Sequence, residues 1–187
     1  YFLIGDVSGT GVAAPLLTSR LHAIFRSLIG AGLGVSELVE RANQLFAEST
    51  MRPYYATLVC GKAATSGEVE ICNAGHCPPL LLRNGSVSPI TATGLPIGMF
   101  CQERYSSTQL KLGKGDRLLL YTDGLSEARD HHACEYGDDR LPMVLGECHA
   151  LPAIALVNRL LDDVSEFSSA RPRADDLTVM AIEMVGH

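Results

Sequence analysis

Gly115-Asp-Arg-Leu-Leu-Leu-Tyr-Thr-Asp-Gly124 is the stretch on which the reading of this chain turns. Leu118–Tyr121 is a short apolar run with a turn on either side, the pattern of a buried strand. It runs into Asp123 and then Gly124, so the strand delivers a carboxylate to a tight turn at the rim of a sheet. The same pattern opens the chain, where Tyr1-Phe-Leu-Ile4 leads into Gly5-Asp-Val-Ser-Gly9. It returns reversed near the end, where Asp175-Asp176 precedes the apolar stretch Leu177–Met184. Three strand ends each present an aspartate, and grouped oxygen ligands are what a hard divalent cation requires. Whether they meet in space is a question for the tertiary structure.

Composition narrows the function classes. The chain has 187 residues, enough for one domain with a core at least two layers thick. Apolar residues make up 47% and charged residues 19%, which argues for a globular fold and against disorder. A net charge of -6, with no Lys/Arg cluster interleaved with aromatics, argues against nucleic acid as a partner. An acidic protein acting on a phosphate needs cations to offset the repulsion, which agrees with the aspartate pattern. Six cysteines are scattered without a Cys-x-x-Cys pair, so reduced thiols in a cytoplasmic protein are expected rather than a disulfide framework. No run approaches 18 apolar residues, and no membrane segment is expected. The chain opens directly in a strand without an initiator Met, as one domain of a longer polypeptide would.

In chain order, Val12, Leu16, Leu17, Leu21, Ile24, Phe25 and Leu28 recur at helical spacing. Pro15 belongs in a first turn, which predicts a helix from about residue 13 to Gly30-Ala-Gly32. A second helix follows with Ser36 as N-cap and Leu38, Ala42, Leu45 and Phe46 inward, closed by Arg52-Pro53. From Tyr54 the period changes to two. Strands are predicted at 55–62, 68–73, 80–83, 86–90 and 105–112, with Asn84-Gly85 as the clearest hairpin signal. Ser126–Asp139 reads as loop or broken helix, followed by helices near 141–147 and 153–167, a linker at 168–174 and a last strand. Paired helices and hairpin-linked strands predict an α+β fold with segregated helices, able to form two packed antiparallel sheets.

Five motifs occur in order: Gly5-Asp-Val-Ser-Gly-Thr-Gly11, Asn73-Ala-Gly-His-Cys-Pro-Pro-Leu80, Gly94-Leu-Pro-Ile-Gly98, Leu120-Tyr-Thr-Asp-Gly-Leu-Ser-Glu-Ala128 and Asp175-Asp-Leu-Thr178. With them the chain resembles the metal-dependent protein serine/threonine phosphatases of the PPM, or type 2C, family, in its bacterial SpoIIE/RsbU-like branch. The resemblance covers nearly all of the 187 residues. It implies a four-layer αββα sandwich with two Mn²⁺ or Mg²⁺ ions at one edge. It also implies that Asp6 bridges both metals, that the Val7 carbonyl ligates one, and that Asp123 and Asp175 complete the shell of the other. Asp6 and Asp123 would then be the catalytic pair, serving a metal-bridging water that attacks a phosphoserine or phosphothreonine phosphorus. The implied substrate is a phosphorylated STAS-type anti-sigma-factor antagonist, and the implied partner an upstream sensor or receiver module; a homodimer is compatible with both. The first two helices would form the regulatory surface. Family members carry a further acidic residue on a strand ahead of Gly-Asp-Val, so an N-terminally truncated domain is expected. The family pattern also has His or Lys where this chain has Thr10, and Pro where it has Cys77.

Other residues admit plainer readings. His76 could serve as a general acid or brace its turn through a hydrogen bond. His131, His132 and Cys134 have spacing compatible with zinc, but they lie in a polar loop without a second ligand pair. Gly5–Gly11 matches neither a dinucleotide fingerprint nor a Walker loop, and Ser8 does not fit Gly-x-Ser-x-Gly. Beside the enzyme stands a binding reading: a phosphatase-like scaffold that grips a signalling partner without catalysis. Three retained aspartates argue for the enzyme, because grouped acids without cations repel.

Overall fold

The structure, a computed structural model, describes residues 1–9, 11–50, 54–169 and 175–185. The chain divides into two compact units, Tyr1–His76 with Thr91–Lys111 and Cys77–Ile90 with Leu112–His187. The elements run β1 (Phe2–Val7), α1 (Ala13–Leu28), a 3₁₀ turn at Ile29–Ala31, α2 (Val35–Ser49), β2 (Ala56–Ala63), β3 (Glu68–Ala74), β4 (Leu80–Arg83) and β5 (Ser86–Pro89). They continue with β6 (Thr108–Lys111), β7 (Arg117–Tyr121), α3 (Asp123–Ser126), α4 (Gly137–Glu147), α5 (Ala153–Phe167) and β8 (Val179–Glu183). Every strand pairing is antiparallel, in two four-stranded sheets ordered β1-β2-β3-β6 and β5-β4-β7-β8. The fold is thus α+β, two antiparallel sheets flanked by helices.

In the first unit α1 and α2 supply an apolar layer to the sheet. Leu17, Leu21 and Phe25 of α1 recur every fourth residue and form its buried stripe. Val12 and Leu16, expected inward, are exposed, because each stands one residue off that stripe. Val35, Leu38, Val39, Ala42 and Phe46 of α2 are fully buried with Ala56, Leu58, Cys60 and Cys72 of the sheet. The α2 N-cap is Gly34, in an extended conformation with no side-chain cap, and not Ser36, which lies inside the helix.

Buried among these apolar residues is one amide. Asn43 donates to the Phe100 carbonyl at 2.8 Å and accepts from the Gly98 N–H at 2.8 Å, tying the 94–100 loop to α2. Asn43→Ala is expected to leave both backbone groups without their partner, at a cost of about 1–3 kcal/mol. Thermal unfolding should show a drop of several degrees in the midpoint.

In the second unit β7 is buried at all five positions, as its sequence predicts. Leu119, Tyr121, Leu125, Leu141, Leu145, Leu156 and Leu160 join α4 and α5 to the sheet. The stretch expected as loop or broken helix resolves into α3, a turn closed by an Arg129–Glu135 bridge, and the start of α4 at Gly137. The predicted strand at 105–112 pairs only over Thr108–Lys111, and the last strand begins at Val179. Arg52-Pro53, most of the 168–174 linker and Thr10 lie outside the described residues.

At the start of β7, Asp116 accepts hydrogen bonds from Arg83 Nε at 2.8 Å and from the Gly113 N–H at 2.7 Å. Burial, the largest influence, pushes this carboxyl upward, but the Arg83 hydrogen bond, the Gly113 N–H and the Arg83 charge together hold it below the usual carboxylate range. A depressed native pKa stabilises above the unfolded value of about 3.9, and the contribution is lost as pH falls through the lower native value. Asp116→Asn should therefore cost about 1 kcal/mol at neutral pH. Denaturant titrations across pH should show the gap from the parent chain closing below about pH 4.

All six cysteines are free. Cys60, Cys72 and Cys148 are buried, and Cys101 and Cys134 are exposed. Burial pushes the Cys60 thiol up to about 12 and the Cys72 thiol up to about 11, so both are protonated and unreactive at neutral pH. Among the described residues no helix is long and apolar enough to cross a membrane.

Candidate metal centre

Asp6 lies near the end of β1, the outer strand of its sheet, directly opposite Thr57 of β2. The close seating of β1 requires Gly5, since a Cβ there would stand 2.5 Å from the Thr57 carbonyl oxygen and 2.6 Å from Leu58 Cβ. The Asp6 side chain is exposed and the Val7 side chain buried. Val7 faces Ala56, whose N–H and C=O are both taken by Ile97, at 2.8 and 2.7 Å. Val7 and Ala56 are therefore a non-hydrogen-bonded pair, and the Val7 carbonyl turns away from β2 toward the outer side of β1.

One residue further on, the ladder is finished by a side chain. The Ser8 N–H donates to the Tyr55 carbonyl at 2.9 Å, but the returning Tyr55 N–H goes to Ser8 Oγ, also at 2.9 Å. The hydroxyl takes the place that the Ser8 carbonyl would hold in a regular pair, so this serine is an organiser of the strand end and not a nucleophile.

His76 is buried in the same unit. Its Nδ1 lies 2.9 Å from Thr57 Oγ1, and its backbone N–H donates to Asn73 Oδ1 at 2.8 Å. Asn73 Nδ2 donates back to the His76 carbonyl at 3.1 Å. A fully buried asparagine thus clamps the Asn-Ala-Gly-His turn and the imidazole is held on the strand facing Asp6, the bracing arrangement of the two open readings.

In the second unit two of the expected ligands fall at one end of the sheet. Asp123 follows β7, and Asp175 precedes the segment leading into β8, which pairs with β7 up to Tyr121–Val179. Past that pair the two segments stay joined through Thr122, whose side chain is buried. Its N–H donates to the Thr178 carbonyl at 3.1 Å, and its Oγ1 donates to the Asp176 carbonyl at 3.1 Å and accepts from the Thr178 N–H at 3.0 Å. Here too a hydroxyl replaces its own carbonyl, and the freed Thr122 carbonyl accepts the Leu125 N–H at 3.0 Å to start the turn that carries Asp123. Gly124 closes the joint, for a Cβ on it would stand 2.4 Å from the Asp176 carbonyl oxygen. Asp123 is half-buried and Asp175 exposed, the latter accepting the Asp176 N–H at 2.8 Å. Both carboxylates sit at the same end of β7 and β8. Sequence reading singled out the aspartates but not Thr122 or Ser8, whose hydroxyls carry no signal until their partners are known.

The donors that the sequence nominates are carboxylate and carbonyl oxygens, suited to Mg²⁺ or Mn²⁺ rather than to a soft metal. The histidine loop differs. Asp130 Oδ1 accepts the His132 and Cys134 N–H groups at 2.8 and 2.9 Å, so its carboxylate shapes an exposed turn. Among the described residues no three His, Cys, Asp or Glu side chains stand together as a ready-made metal cage.

Comparison with known proteins agrees with the fold. RsbP, a phosphoserine phosphatase of Bacillus subtilis, is 28% identical over 189 residues, covering 97% of this chain and 45% of that protein. The chain spans about half the length of the curated relatives it matches. The PP2C phosphatase domain of SpoIIE from Bacillus subtilis, solved with a fragment of its regulatory domain, superposes with a TM-score of 0.81 at 20% identity, covering 97% of this chain and 53% of that one. The catalytic domain of the serine/threonine phosphatase PstP, solved with 2 manganese ions, gives a TM-score of 0.71 at 18% identity, over 98% of this chain and 87% of that one. The model of the Stage II sporulation protein E (SpoIIE) family matches residues 1–185. With that match over a fold of the PP2C type, the chain belongs to the SpoIIE family of phosphatase domains.

Proposed function

We propose that this chain is a metal-dependent protein serine/threonine phosphatase that hydrolyses phosphoserine or phosphothreonine on a regulatory protein. The observation that carries the reading is the joint at the end of β7 and β8, where a buried threonine and a glycine hold Asp123 and Asp175 at one sheet end. Asp6, the Val7 carbonyl, Asp123 and Asp175 would hold two Mn²⁺ or Mg²⁺ ions. When bound, such ions offset phosphate charge and lower the pKa of water, the chemistry a phosphomonoester hydrolase needs. The chain itself contributes carboxylates close to strand ends, whose backbone is held by the sheet pairing. Its net charge of -6 would otherwise repel a phosphorylated substrate.

The substrate class we propose is a STAS-type anti-sigma-factor antagonist phosphorylated on serine or threonine. The similarity to RsbP, a phosphoserine phosphatase, supports the phosphoserine part of this reading. We propose control by an upstream sensor or receiver module, with α1 and α2 as the surface through which it acts. Hydrogen exchange that left both helices equally protected with and without that module would count against such control.

The test is release of phosphate from a phosphoserine STAS protein by the purified chain, with and without Mn²⁺. Turnover that needs Mn²⁺ and spares phosphotyrosine supports the reading. A folded chain that grips the phosphoprotein but releases no phosphate under any metal would establish the scaffold instead.

A further inference from the structure

We infer that Thr122 is a positioning residue for the metal-holding carboxylates, its hydroxyl setting the spacing between Asp123 and Asp175. The inference rests on the metal-dependent reading above and adds a residue that is not itself a ligand. Three hydrogen bonds run from this one residue to the segment 176–178, two of them through the hydroxyl. The side chain is buried, so water does not substitute for these partners. The hydroxyl also does something an apolar residue of the same size cannot. By accepting the Thr178 N–H it frees the Thr122 carbonyl to bond Leu125, and that bond turns the chain at Asp123. One side chain therefore fixes both the approach of the Asp175 segment and the direction in which Asp123 leaves β7. Groups that orient metal ligands without touching the metal typically govern affinity by about 10–100-fold.

The experiment is calorimetric titration of the chain with Mn²⁺, checked by electron paramagnetic resonance of free Mn²⁺, on the parent chain, Thr122→Val, Thr122→Ser and Leu156→Ala. Thr122→Val should weaken Mn²⁺ binding by about tenfold or more, Thr122→Ser should stay within about threefold of the parent, and Leu156→Ala should bind as the parent does. Leu156→Ala lowers stability in the same unit and removes none of the hydrogen bonds of the joint, so it separates general loosening from misplacement. Unchanged Mn²⁺ affinity in folded Thr122→Val overturns the inference, as does a serine variant as weak as the valine one. If Thr122→Val does not fold, amide exchange in the parent chain decides. Bound Mn²⁺ should slow exchange at the Thr122 and Thr178 amides, and unchanged protection there with Mn²⁺ bound overturns the inference. A parent chain that binds no Mn²⁺ overturns the phosphatase reading and this inference together. Any of the other failures leaves that reading standing.

Discussion

Asp123→Asn is expected to abolish metal-dependent phosphate release, by at least about 100-fold, while leaving the chain folded. The substitution keeps the size and shape of the side chain and removes its charge. The backbone bonds that surround it, Leu125 N–H to Thr122 and Glu127 N–H to the Asp123 carbonyl, involve no carboxylate and survive. Loss of rate should therefore come with little change in melting midpoint. Initial rates over a Mn²⁺ series check it: excess Mn²⁺ that restored full turnover would mean a binding contribution alone, and turnover unaffected at any Mn²⁺ would remove Asp123 from the site.

Gly124→Ala should damage stability and site together. The added Cβ would meet the Asp176 carbonyl oxygen at 2.4 Å and its carbon at 2.9 Å, and these are backbone atoms that cannot rotate aside. One of the two strand ends must move. Overpacking of this kind costs about 1–3 kcal/mol. The displaced segment carries Asp175, so Mn²⁺ affinity and turnover should fall with the melting midpoint. Gly30→Ala is the control, since a Cβ at that glycine meets no heavy atom within 4 Å outside its own stretch of chain. It should be neutral within about 0.5 kcal/mol. A Gly124→Ala chain as stable and as active as the parent would show that the two segments are not held as closely as described.

Taken together, the two substitutions separate the chemical and mechanical parts of the site. Asp123→Asn removes charge at fixed geometry, whereas Gly124→Ala disturbs geometry at fixed charge. The scaffold reading expects only the second to matter, and only through folding.

Much of the fold was legible because its signals are local. The apolar run of β7, the Asn84-Gly85 turn between β4 and β5, and the stripe of α2 all depend on residues within one or two turns of each other. Errors fell where a neighbour distant in sequence decides. Val12 and Leu16 carry the right residue type for a core, but the core beneath α1 lies under the face of Leu17, Leu21 and Phe25. Ser36 is a good capping residue by type, yet the helix begins two residues earlier than that cap would place it, with Gly34 as its cap. Tyr105–Ser107 alternates as a strand would, but β3 offers β6 pairing partners only from Ile71 back to Glu68.

For the candidate site the division is similar. By itself the sequence determined which aspartates fall close to strand ends, because a hydrophobic strand running into Asp-Gly, or following Asp-Asp, specifies the element, although Asp6 lies inside β1 and β8 begins only at Val179. It also determined the chemistry those oxygens suit. Only the tertiary structure decided how they are held. That the Val7 carbonyl faces outward depends on Ala56 giving both of its bonds to Ile97, a partner forty-one residues further along the chain. That Asp123 and Asp175 share one end follows from the pairing of β7 with β8, which the Thr122 hydroxyl continues to partners more than fifty residues later. A hydroxyl can donate, accept or face water, and only the backbone groups brought to it by folding select among the three.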